Sequence, residues 1–95
     1  MNNIVRLHMV QLNMLPFDFV LDALIRYLAE HKGQVPLRWE LHPDTMAGIK
    51  ADPRAHLHLI QRGYYDSCLL GVTLTIDPIF HYPKLIEPSG KPWYL

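Results

Sequence analysis

Ninety-five residues set the scale of a single domain, and a chain this short buries only about 60–65% of its unfolded surface, so its core is thin. Nine Lys and Arg against nine Asp and Glu leave no net charge, which argues against a protein whose main work is neutralising phosphates. Cys68 is the only cysteine, so an internal disulfide is excluded and the thiol beside Leu69 and Leu70 reads as a buried structural group.

Residues 1–15 are apolar but interrupted by Arg6, His8, Gln11 and Asn13. No run there spans a bilayer and no small-residue cleavage site follows. The expected setting is a reducing cytoplasm or a particle assembled in one. Along Ile4 to Leu15 the apolar residues alternate with one slip of phase between Met9 and Val10, which predicts a bulged N-terminal strand.

The clearest element is an amphipathic helix from Phe17 to His31, with Pro16 at its start and Gly33 at its stop. Asp18, Asp22, Arg26 and Glu30 fall four apart on a polar stripe, where Asp22–Arg26 and Arg26–Glu30 are spaced to pair. Val20, Leu21, Leu24, Ile25 and Leu28 make the opposing apolar face. After a turn at Gln34 to Pro36, Leu37, Trp39 and Leu41 alternate with Arg38, Glu40 and His42 as a half-buried strand. Pro43 then opens a short helix, Asp44 to Ala51, weakened by Gly48. Asp52-Pro53 is a second helix start, although Ala55, Leu57 and Leu59 also alternate in the manner of a strand; a helical turn is the preferred reading. Cys68 to Asp77 is a strand with Leu70, Val72, Leu74 and Ile76 on one face. Beyond it Pro78, Pro83, Pro88 and Pro92 forbid a long helix, so the tail is extended or looped.

These elements define an α+β fold. One long amphipathic helix and one or two short ones pack on a small sheet of three or four strands, with an extended proline-rich C-terminal tail. Residues 1–78 form the compact unit and residues 79–95 the tail.

Candidate chemistry is sparse. Six histidines raise a metal reading centred on His56 and His58, two apart and on one face only if the segment is a strand. His42, His81 or Asp77 would have to complete the site, and no known ligand spacing is met. Asp44 and Asp52 read as helix-start residues and Asp77 as a turn residue. No pair of carboxylates, phosphate loop or nucleophile triad stands out, so the expectation is a protein that is not an enzyme and needs no cofactor. Arg54, Arg62, Tyr64 and Tyr65 offer a stacking and phosphate-holding set for nucleic acid; Asp66 and the zero net charge weigh against it. The tail crowds Phe80, Tyr82, Trp93, Tyr94 and Leu95 between prolines. Such residues either close the domain's own core or anchor a protein partner.

One pattern is specific enough to compare with a family. Trp39-Glu40-Leu41-His42-Pro43-Asp44-Thr45-Met46-Ala47-Gly48-Ile49-Lys50 reads as strand, polar-Pro turn and short helix, and Leu69-Leu70-Gly71-Val72-Thr73-Leu74-Thr75-Ile76-Asp77-Pro78 follows later. This order resembles part of the axial domain of the major capsid proteins of tailed bacteriophages, and the Phe17–His31 helix falls where that domain has one. Thr73 stands where those proteins commonly have proline, and ninety-five residues do not hold the peripheral domain and extended loop that build a shell. The resemblance implies a small phage- or prophage-type protein with a capsid-like domain, found in the virion or the host cytoplasm. Its expected work is protein–protein contact or self-association as a virion component or assembly partner, with Phe80, Tyr82, Trp93, Tyr94 and Leu95 as contact residues. The alternatives are an inhibitor of a host protein, acting in host takeover or anti-defence, and a nucleic-acid or metal-dependent activity around His56 and His58.

Overall fold

The computed structural model describes residues 14–62 and 66–95. The expected N-terminal strand lies outside these residues except for Met14 and Leu15, and so do Tyr64 and Tyr65. Among the described residues the elements run α1 (Pro16–Glu30), β1 (Arg38–Leu41), α2 (Pro43–Lys50), a 3-10 turn (Pro53–Leu57), β2 (Leu59–Arg62), β3 (Asp66–Leu69), β4 (Val72–Ile76), β5 (Lys84–Ile86) and β6 (Pro92–Tyr94).

The fold is α+β, as expected, but its sheet has six strands where three or four were predicted, in the order β2-β3-β4-β1-β5-β6. Two local features account for the difference. The stretch read as one strand from Cys68 to Asp77 is a hairpin: Leu70 and Gly71 take φ of 53° and 80° and reverse the chain between β3 and β4. Positive φ at two successive positions suits the twist of a two-residue hairpin, and the strain at Leu70 is the reason the turn was hidden inside an apolar run. The tail, expected to be extended, also forms a hairpin. β5 pairs antiparallel with β1 and then with β6, and Gly90 N–H donates to the Glu87 carbonyl at 2.7 Å to close the turn. Residues 79–95 therefore supply two strands of the main sheet.

β1 sits between β4, to which it is parallel, and β5, to which it is antiparallel. A parallel pair cannot be joined by a tight turn; α2, the 3-10 turn and the β2–β3 hairpin make the crossover. The register aligns Trp39 with Leu74 and with Leu85, and Leu85 with Trp93. Because strand residues alternate between faces, this row points to one side. There it joins Phe17, Val20, Leu24 and Tyr27 of α1 and Met46 and Ile49 of α2 in one core. Trp39 is fully buried, and its indole N–H donates to the Leu69 carbonyl at 2.9 Å, which satisfies the one polar atom it brings inside.

The long helix is one residue earlier at each end than predicted, with Pro16 at its first position. Its buried stripe is Phe17, Val20, Ala23, Leu24 and Tyr27, rotated from the predicted one so that Ile25 is exposed and Leu21 and Leu28 are half-buried. The aromatic rings set this rotation. Tyr27 meets the edge of Trp93 at 5.4 Å between centroids, which draws that side of the helix to the sheet. Asp22 pairs with Arg26 at 2.9 Å as its spacing predicts. Glu30 instead accepts from the Trp93 indole N–H at 2.8 Å, and Arg26 lies over the same ring.

α2 begins one residue earlier than predicted. His42 rather than Asp44 caps it: the Asp44 N–H donates to His42 Nδ1 at 3.0 Å. Gly48, a weakness by propensity, has a packing role. A Cβ there would stand 2.8 Å from Pro16 Cγ, so the small residue lets α2 approach the start of α1. Asp52 and Asp77 behave as read, accepting from the N–H groups of Arg54 and Ile79 at 2.9 Å each.

Candidate interaction surface

The opposite face of the sheet carries no helix among the described residues. It is built by the other half of the strand alternation. Thr73 and Thr75 are exposed on β4, Glu40 pairs across with Lys84 and Lys84 with Tyr94, and Ile60 pairs with the half-exposed Cys68. The cysteine thus lies at the far end of the open face and not in the core.

At the β5–β6 end the chain gathers aromatic side chains around one ammonium group. Lys84 Nζ lies 4.7 Å from the centre of the Phe80 ring and 5.8 Å from that of Tyr94. The same group donates to the Tyr82 carbonyl at 3.2 Å and faces the Glu40 carboxylate at 3.8 Å, while Arg38 Nε holds the other Glu40 oxygen at 2.9 Å. With its charge met by rings, carbonyl and carboxylate, Lys84 packs against the Phe80 and Tyr94 rings and ties down the main chain at Tyr82. Tyr82 and Tyr94 nevertheless remain 71% and 59% exposed, and Ile79 is 69% exposed in the preceding loop. Tyr82 also walls a groove of about 520 Å³ with Met14, Pro16, Phe19, Thr45 and Pro83, so an outward aromatic edge continues into a mostly apolar depression.

The five residues singled out in the tail therefore divide. Tyr82 and Tyr94 point outward, and Phe80 is half-exposed. Trp93 and Leu95 turn inward and pack against the core, with the Leu95 N–H donating to the Pro83 carbonyl at 3.2 Å. Trp93 and Tyr94 thus lie on opposite faces of one short strand, one packed against the core and the other exposed. The sequence signal for this split is the period of two itself, once residues 92–94 are known to be a strand.

β6 is a poor template for adding another strand. Glu87 and Leu95 bond across the hairpin through Lys91 and Pro83, so the intervening residues Pro92 and Tyr94 turn their backbone outward. Pro92 has no N–H to offer there. Contact on this side must be made by side chains.

The other candidates are placed differently. His56 lies in the 3-10 turn and His58 caps it, so the shared strand face that a metal pair would use is not formed; His58 instead stacks near Phe17 at 5.9 Å. Among the described residues no three His, Cys, Asp or Glu side chains come together as a metal site. Arg54 is held by Asp18 at 2.9 Å and by Asp52 at 2.7 Å and lies over the Phe17 ring. Hydrogen bonds from the Arg54 side chain and backbone hold the Asp52 carboxyl below the usual carboxylate range, and those to Asp52 and Asp18 push the Arg54 guanidinium up in turn. A second groove, about 530 Å³, lies beside this triad, and the polar groups that edge it are already paired with each other. No helix among the described residues is long and apolar enough to cross a membrane.

In comparisons with known proteins, no family model, no curated protein and no solved structure matches this chain.

Proposed function

We propose that this protein is a non-enzymatic protein–protein interaction module, working as a small phage virion component or capsid-assembly partner. The observation that carries the interaction reading is the exposed aromatic edge: the Tyr94 ring packed beside Lys84, and Tyr82, its main chain tied by the same lysine, walling an apolar groove. Holding the Tyr94 ring and the Tyr82 main chain in place before contact lowers the entropy lost on binding, and tyrosines are frequent anchors of protein interfaces. The particle reading is supported by element order. β1 runs through the His42-Pro43 turn into α2, and β4, which starts after Gly71, lies beside β1 in the sheet. That is the order on which the resemblance to capsid axial domains rests, and a fold likeness alone does not fix function.

The test is the solution mass of the purified protein by light scattering over a concentration series, with a Tyr82→Ser/Tyr94→Ser double variant alongside. Concentration-dependent assembly that the double variant loses, with its melting temperature kept, is the expected result. Assembly that survives the double variant would move the interface elsewhere. A monomer at every concentration would remove self-association and leave a different protein as the partner; co-purification with virions then supports the particle reading, and recovery on a host protein alone overturns it.

A further inference from the structure

His31 caps α1 at the point where the helix meets the C-terminal hairpin. Its Nδ1 lies 2.7 Å from the Tyr27 carbonyl oxygen. A carbonyl only accepts, so Nδ1 carries a hydrogen and donates it. In a neutral ring that assignment leaves a bare lone pair on Nε2. Nε2, however, faces the Glu87 carboxylate at 3.4 Å, and two acceptors turned toward each other at that distance repel. The contact becomes attractive once a proton lies between them, whether it is placed on Nε2 or on the Glu87 oxygen.

The junction is well shielded. The His31 and Glu87 side chains are 18% and 21% exposed, and the His31 ring stacks on the buried Tyr27 ring at 3.8 Å with the planes 10° apart. Burial, with the Glu87 charge adding to it, pushes the Tyr27 phenol above its ordinary range; it therefore stays neutral beside the pair. The other charged groups at the junction are Glu30, which accepts from Trp93, and Arg26, which lies over that ring. Lys32 and Lys91 are the exposed cations next along the chain from the helix end and in the hairpin turn.

We propose that His31 and Glu87 form a proton-operated latch that fastens the β5–β6 hairpin to the end of α1. The latch is closed while the proton is held and loosens when it is lost. It acts on the hairpin that carries Tyr94, but it does not depend on what that surface binds.

The test is amide hydrogen exchange by NMR from about pH 5 to about pH 8, the range over which histidine side chains in general change charge. Protection is read at the Glu87 and Leu95 N–H groups, which bond across the hairpin, relative to amides of β1 and β4 as an internal reference. In the unmodified protein the relative protection falls about tenfold as pH rises, the lower end of what a hydrogen bond to a charged group contributes. In Glu87→Gln the side-chain amide donates to the neutral Nε2, and the fall disappears. An equal fall in both proteins overturns the latch, because the pH dependence would then arise elsewhere. Nitrogen-15 shifts of the His31 ring give a second reading that needs no variant: a neutral ring carrying its hydrogen on Nε2 also overturns the proposal.

Discussion

Trp93 and Tyr94 are neighbours on β6 and meet opposite surroundings. Trp93 turns to the helix-covered face, bonds to Glu30 and meets Tyr27 edge-on; Tyr94 turns to the open face and remains 59% exposed beside Lys84. The two side chains are similar in size and aromatic character. What separates them is the parity of the strand, which sends one into the core and the other to solvent. The contrast extends across the sheet. Trp39, Leu74 and Leu85 form a dry packed row, while Glu40, Thr75 and Lys84 form a polar one a single residue out of phase. The covered face holds the apolar core, and the other face carries the polar row.

The covered face carries the largest expected effect. Trp39→Ala removes a fully buried ring and leaves the Leu69 carbonyl without its indole donor, a loss of about 3–5 kcal/mol. That is a large share of a small domain's stability, and urea denaturation followed by circular dichroism should show the midpoint fall or the transition vanish. Trp93→Ala, half-buried, should cost about 2 kcal/mol in the same assay. Tyr94→Ala is the sharper comparison, because an exposed side chain outside the core changes stability by about 0.5 kcal/mol or less. Equal losses for Trp93→Ala and Tyr94→Ala would break the division between the faces. Gly48→Ala tests the approach of α2 to α1. Helix propensity favours alanine by about 1 kcal/mol, but its Cβ meets the Pro16 ring, and overpacking of that kind costs about 1–3 kcal/mol. Net destabilisation is expected, whereas a gain would mean that the two helices part freely.

The smallest effect concerns acid stability at the edge of the fold. The Arg54 hydrogen bonds lower the Asp52 carboxyl in the native state. An acid whose folded-state pKa is depressed adds stability above its unfolded value, and that stability is lost as pH falls through the folded one. The Asp52 contribution is therefore intact above the ordinary carboxylate range, about pH 4, and disappears below it. Asp52→Asn should be somewhat less stable near neutrality and should lose less on acidification than the unmodified protein. Melting curves measured at intervals from about pH 6 down to about pH 2.5 check the sign; parallel losses in the two proteins would contradict it.

Much of this architecture is local and so legible. The Pro16 start, the Gly33 stop and the i,i+4 spacing of Asp22 and Arg26 required only neighbours along the chain, as did the alternation about Trp39 and the Asp52 and Asp77 side-chain bonds. The candidate surface was legible in composition but not in direction: Phe80, Tyr82, Trp93, Tyr94 and Leu95 all stood out as aromatic or apolar residues among prolines. Their sides could not be assigned while residues 92–94 were read as an extended arm, because an arm without a partner strand has no inside.

The sequence by itself determined where the two helices lie to within a residue, and the alternation about Trp39. These properties depend on periods of 3.6 and 2 and on the backbone limits of proline and glycine, all expressed within a few residues. Tertiary structure decided which strands meet: β1 between β4 and β5, the reversal at Leu70-Gly71, and the tail folded back as β5 and β6. It also decided the rotation of α1 toward Tyr27, the contact of Gly48 with Pro16, and the meeting of His31 with Glu87. Each of these joins residues distant in the chain, and register, burial and charge partners exist only once such residues are brought together.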